Sequence, residues 1–356
     1  MKRLILLILT SFSFLSFSHS QSIIALDHAT GGSEFFTRLD SAIAHATGSD
    51  YIYLPGTTLM QIDDVVIDKP VHIIGAGINP DSSMATGITY LTGNITVVAG
   101  ADNGSLQGIM LNGTLTFGTS HANQHVSSYY VSRCNLATLY LSYNGTDTTT
   151  SSFLFRENII RGHVYGGFSN AVFRNNIFEA QLNYFYGATF ANNDFLWGST
   201  RTINAFIRNS TFSNNIFKHY CVAYYGYSPL SSYNNNYYNN MFNGPLQFSS
   251  DYYGCIPDGN GIGFISGNLE NVQNALIYTS QSGYTYDIHH NFHLAAGSPG
   301  INAGTDGTDI GIYGGSESFK DGSLPVNPHI RFQSVAGSTS PNGMLNIHYK
   351  VAAQER

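Results

Sequence analysis

Apolar positions recur along the middle of the chain in a fixed relation to pairs of asparagine. Phe155-Arg156-Glu157-Asn158-Ile159-Ile160 is followed by Phe173-Arg174-Asn175-Asn176-Ile177-Phe178. Phe190-Ala191-Asn192-Asn193-Asp194-Phe195 and Phe212-Ser213-Asn214-Asn215-Ile216-Phe217 come next. A looser Tyr238-Asn239-Asn240-Met241-Phe242 ends the series, and Ser132-Arg133-Cys134-Asn135-Leu136 begins it. With the second asparagine as register, the intervals are 23, 18, 17, 22 and 25 residues. A period of about 20 with variable insertions is the mark of stacked β-coils, each burying its apolar face on its neighbours. Asparagine tolerates the left-handed backbone of a sharp corner. Its amide also donates and accepts at once, so asparagines stacked coil on coil form a ladder, at the strand spacing of about 4.8 Å. A prion-like Asn-rich tract would not keep this phase with phenylalanine.

The pattern differs at the two ends. In FFTRLDSAIAHA, residues 35–46, Phe36, Leu39, Ile43 and Ala46 fall at helical spacing and predict a short amphipathic helix. Two apolar strands follow over 51–54 and 71–74, punctuated by Pro-Gly and Lys-Pro. Near the other end, HIRFQSV and MLNIHYKVA alternate around Ser-Pro-Asn-Gly, which predicts a β-hairpin.

The first residues change the compartment. Lys2 and Arg3 precede an apolar run over 4–17, and Ser18-His19-Ser20 offers the small residues a signal peptidase reads. A signal peptide over 1–20 is expected, with cleavage near Ser20 and a secreted, extracellular or cell-surface destination. The run falls short of the roughly 20 apolar residues of a membrane span. Loss of Lys2 and Arg3 lowers Lys+Arg from 15 to 13 against 22 Asp+Glu, and the formal charge from −7 to −9. That balance argues against a nucleic-acid partner. Charged residues are 10% of the chain and aromatic residues 13%, which suits a folded all-β protein and not a disordered one. Cys134, Cys221 and Cys255 form an odd set. A Cys221–Cys255 disulfide and three small buried residues are both open readings.

The helix followed by GSDYIYLPGTT and IDKPVHIIGAG resembles the opening of the pectin-lyase-like right-handed parallel β-helix superfamily. FHLAAGSPGINAGTDGTDIGIYGG, residues 292–315, resembles the closing segment of bacterial secreted β-helix repeat proteins. The resemblance covers most of 24–315. It implies an all-β, right-handed parallel β-helix (a solenoid) over 21–320, with an N-terminal capping helix that covers otherwise unpaired backbone groups. The linker and hairpin over 321–356 then cap the solenoid or serve as a sorting tail.

Arg133, Arg156 and Arg174 each precede the register asparagine by two residues, which predicts an outward-facing arginine row. Arg208 extends it. Arginine grips carboxylates in a bidentate way, so such a row suits an acidic polysaccharide. In β-helix lyases of the resembled superfamily, an arginine or lysine commonly takes the proton beside a uronate carboxylate. The competing reading is a salt-bridge ladder with Glu157 and Glu179. Glu157, Glu179 and Asp194, in consecutive coils, are candidates for a paired-carboxylate hydrolase. Tyr165, Tyr184 and Tyr186, with Trp197 and the crowd at Tyr220, Tyr224, Tyr225 and Tyr227, suggest a platform for sugar rings. The Asn-Thr-Asp, Gly-His-Gly and Arg-x-Lys signatures of polygalacturonases are absent, as is the Trp-Ile-Asp-His wording of pectate lyases. His289 and His293 stand about 13 Å apart in extended chain, too far to share a metal. No cofactor is expected, although Asp306-Gly307-Thr308-Asp309 offers oxygen ligands for calcium as well as a tight turn. Two functions stay in play: a non-catalytic polysaccharide-binding surface module, and a uronate-polysaccharide lyase or hydrolase. The oligomeric state is not legible.

Overall fold

A computed structural model describes residues 23–119, 126–141, 152–167, 170–179, 181–196, 203–205, 207–218, 233–245 and 263–352. The described residues are nearly all β and form two long sheets, of twelve and fourteen strands. The twelve-stranded sheet begins with Ser33–Phe36 and Ile24–Asp27, which pair antiparallel. Ile24–Asp27 is also antiparallel to Tyr51–Tyr53. From there each neighbour is parallel, through His72–Ile74, Tyr130–Ser132, Leu154–Arg156, Val172–Arg174 and Thr189–Ala191 to Ile265–Ser266. Between strands of this sheet the chain passes through the other, in Ile159–Ile160, Ile177–Phe178, Asp194–Phe195 and their neighbours. Successive passes therefore stack, as the repeat requires.

The middle residue of each strand faces inward. Phe155, Phe173, Phe190 and Phe212 are fully buried. Their rings stack at 4.7, 5.1 and 4.7 Å, and Phe178, Phe195, Phe217 and Phe242 make a second column at 4.8, 4.7 and 4.7 Å. These separations match the strand spacing, so sheet pairing and ring stacking favour one geometry.

Beside the rings runs the asparagine ladder. Asn158, Asn176, Asn193 and Asn215 each donate Nδ2–H to the Oδ1 of the asparagine in the next coil, at 3.0, 3.0, 3.0 and 2.9 Å. Asn240 does the same to Asn268 at 3.0 Å. The same Oδ1 atoms accept the preceding backbone N–H, and the second Nδ2 hydrogen goes to a carbonyl such as Phe155 O or Phe173 O. Each buried amide is thus satisfied on both sides, and an unpaired buried polar group would cost about 1–3 kcal/mol.

The ladder starts one residue earlier than expected. Cys134, and not Asn135, donates its backbone N–H to Asn158 Oδ1, at 2.9 Å. Asn135 pairs instead with Ile159. Arg133 consequently shares its coil position with Glu157 and Asn175. These three, with Asn192, Asn214 and Asn239, hold the left-handed corner at φ between 49° and 57°.

The closing segment lies across those corners. Asn239 Nδ2 donates to Ala303 O at 2.8 Å, and Asn214 accepts from Thr305 N–H at 2.9 Å. Asn192 donates to Gly311 O, and Asn175 to Ile312 O and Gly314 O. Arg133 donates to Leu324 O at 2.7 Å. A Cβ on Gly108 would stand 2.6 Å from Pro325, so the corner there must be glycine. Residues 303–325 thus run back along the stack towards its beginning. Beneath them a second apolar cluster joins Ile159, Ile177, Ile216 and Met241 to Ile310, Ile312 and Phe319.

The helix is shorter than its pattern, Leu39–His45, and buries Leu39, Ala42 and Ile43. Phe36 belongs instead to the strand Ser33–Phe36, where it pairs with Ile24. Near the C-terminus, His329–Val335 and Ile347–Ala352 pair antiparallel.

Candidate functional site

The closing segment changes the setting of the arginines. Arg156 and Arg174 are direct partners across Leu154–Arg156 and Val172–Arg174, but Ser132, not Arg133, aligns with them. The expected outward row of three therefore does not form. Arg133 and Arg156 are buried. Both donate through Nε to the fully buried Glu157, at 2.9 Å to Oε2 and 2.7 Å to Oε1. Lys320 N–H adds a bond to Glu157 at 3.3 Å, and Arg156 Nη1 reaches Glu317 at 2.9 Å. One carboxylate thus holds two guanidinium groups under residues 317–324. Arg174 is exposed, one coil further on.

The carboxylates do not share a cleft. Glu157 is at a corner, Asp194 pairs with Ile177 inside the apolar column, and Glu179 follows the strand Ile177–Phe178. Glu179 accepts the N–H of Tyr286, and its pKa is raised by burial. Asp194 is fully buried; its Oδ1 accepts Ile312 N–H at 3.2 Å, and the buried Tyr278 hydroxyl is its other polar neighbour. Burial pushes its pKa up to about 8, so it is mostly neutral at pH 7. Lys218, which sequence reasoning missed, donates to Gly283 O at 2.6 Å and to Gln281. Burial pushes its pKa down to about 8.

The tyrosines lie on a different surface. Tyr140, in Asn135–Tyr140, pairs with Tyr165, in Val164–Gly167, and their rings stack at 4.7 Å with an interplanar angle of 2°. Tyr184, in Leu182–Phe185, continues the row at 6.2 Å and 18°. Its backbone is left-handed, φ 58°, and its side chain is 44% exposed. A bulky residue in that conformation is strained, typically by about 1–3 kcal/mol, and strain of this kind concentrates at functional sites. His163 flanks the row, 6.1 Å from Tyr165.

A second row lies beside it. Tyr186 bridges to Arg208, and Arg208 to Tyr233, in parallel register. The Arg208 guanidinium sits 5.0 Å from the centre of the Tyr233 ring. Tyr186 is 40% exposed. Four of the expected binding residues, Tyr165, Tyr184, Tyr186 and Arg208, therefore fall on two neighbouring rows. Tyr140 and Tyr233 complete these rows; unequal loop lengths conceal their alignment in the sequence. Trp197, Tyr220, Tyr224, Tyr225 and Tyr227 lie outside the described residues, as do Cys221 and Cys255.

His289 is held by Asp287 at 2.9 Å, while His293 lies on the ring of Tyr313 at 3.7 Å. Asp306 accepts both the N–H and the hydroxyl of Thr308, and Asp309 accepts Asn302 N–H. Among the described residues no group of three or more His, Cys, Asp or Glu is arranged to hold a metal ion. Likewise, none of their helices is long and apolar enough to cross a membrane. No protein-family model matches the chain, and no curated protein matches it in sequence.

Proposed function

We propose that the chain is an exported right-handed parallel β-helix of the pectin-lyase-like kind that binds polysaccharide as a non-catalytic surface module. Its leader is 1–20, its helix covers the first coil, and its solenoid extends to about residue 320. The observation that carries the binding reading is the Tyr140–Tyr165–Tyr184 row, three rings stacked in nearly parallel planes and ending in a strained, exposed tyrosine. Sugar rings stack on such faces through their apolar C–H surface. Arg208 in the adjoining row supplies a cation for sugars that carry carboxylates.

Support for the binding reading over an arginine-base lyase comes from Arg133 and Arg156. Both are tied to Glu157 beneath the closing segment, where a polymer has no access to them. The test is affinity electrophoresis against neutral and uronate-containing polysaccharides, with absorbance of unsaturated products followed in parallel. Retardation by at least one polymer, weakened about tenfold in Tyr165→Ala/Tyr184→Ala, is expected from the loss of two stacking contacts at about 0.5–1.5 kcal/mol each. Retardation unchanged in that variant, or steady formation of unsaturated product, would overturn the proposal.

A further inference from the structure

The twelve-stranded sheet has two edges, Ser33–Phe36 at one end and Ile265–Ser266 at the other. Exposed strand edges are templates for pairing with another chain, and proteins usually guard them with charge, proline or a covering element. At the C-terminal edge, Phe264, Ile265 and Ser266 are exposed, Phe264 by 73%, and none of the three is charged. The asparagine ladder also stops there, at Asn268, one coil short of a further acceptor. At the opposite edge Phe35 is 70% exposed. The acid of that strand, Glu34, is engaged within the chain by His28 at 3.2 Å and His45 at 3.0 Å. Phe35 and Phe264 are both strongly exposed, and each marks one edge of the same sheet.

Strand direction makes these edges compatible. Ile24–Asp27 runs antiparallel to Tyr51–Tyr53, and Ser33–Phe36 antiparallel to Ile24–Asp27. Ser33–Phe36 therefore points the same way as every parallel strand down to Ile265–Ser266. A second copy translated along the stack would meet Ile265–Ser266 with its own Ser33–Phe36 in the parallel sense, and the sheet would continue across the junction.

We infer that copies of this chain associate head to tail, with Ser33–Phe36 of one copy adding to Ile265–Ser266 of the next. The contact is heterologous: each copy keeps one edge free, so assembly is open-ended and the product is a filament and not a closed dimer. Main-chain hydrogen bonds supply the pairing, and the two phenylalanines supply apolar burial beside it. Twelve strands at about 4.8 Å set an axial repeat of about 58 Å. Each repeat would present the tyrosine rows again on the same side, giving several weak sites the avidity of a linked array. The association itself does not depend on what those rows bind.

The decisive experiment uses Phe35→Lys and Phe264→Lys, each placing a charge on one edge at an exposed side chain. Sedimentation velocity of the full chain, with and without residues 1–20, should show a weight-average mass that climbs with concentration. Each variant alone should sediment as a monomer with an unchanged melting temperature. An equimolar mixture should form a dimer and stop, because one variant keeps a free head and the other a free tail. A wild-type monomer at all soluble concentrations would overturn the inference. Association that survives in either single variant, or a mixture that remains monomeric, would overturn it too.

Discussion

Asp194 gives the sharpest test of how the closing segment is held. Its column neighbours are Ile177 and Ile216, and the carboxyl is fully buried, with the Ile312 N–H and the Tyr278 hydroxyl as its polar partners. Burial raises its pKa to about 8, against about 3.9 for an unfolded aspartate. Between these values the folded chain keeps a proton that the unfolded chain has released. The contribution of Asp194 to stability must therefore fall as pH rises from about 4 to about 8, and stay level on either side. At about 1.36 kcal/mol per pKa unit, the carboxyl costs about 4 kcal/mol at pH 7. Asp194→Asn keeps the shape and retains an oxygen to accept Ile312 N–H, but it cannot ionise. Guanidinium unfolding midpoints at pH 5, 7 and 8.5 should fall steadily in the wild type and far less in Asp194→Asn, with the gap widest at high pH. Lys218 acts in the opposite sense. Its lowered pKa of about 8 makes stability rise between about pH 8 and 10.4, so it touches only the pH 8.5 point and does so equally in both proteins. Equal pH slopes in the two proteins would refute the assignment of a neutral buried acid.

Other substitutions probe the remaining devices. Asn193→Ala removes the acceptor for the amide and backbone N–H of Asn176 and should cost about 2–5 kcal/mol, read as a lower melting temperature; a loss below about 0.5 kcal/mol would show that the ladder is dispensable. Glu157→Gln leaves two buried guanidinium groups without their shared carboxylate and should cost about 3–5 kcal/mol, with faster amide exchange at Lys320, whose N–H bonds Glu157. Unaltered exchange at Lys320 would separate that cluster from the docking of the closing segment.

The repeat was legible because its parts act on identical parts. An asparagine ladder needs asparagine in each rung, and a phenylalanine stack needs a ring in each coil, so both leave a period in the sequence. The first rung is the exception. Cys134 contributes only a backbone N–H to Asn158, and any residue has one. Asn135 stood close enough to be mistaken for that rung, which put Arg133 out of register by one residue. The burial of the arginines was hidden for another reason. What covers Arg133 is Leu324, 191 residues further along, and no local period announces a contact of that separation. Tyr184 was named from the sequence, but its stacking on Tyr165 was not legible. Strand alternation assigns it a side, but its left-handed φ of 58° resets that side and turns the ring onto Tyr165. Alternation reads a regular strand correctly and fails where backbone strain is spent, so the departures from the repeat, and not the repeat itself, mark the surface proposed for binding.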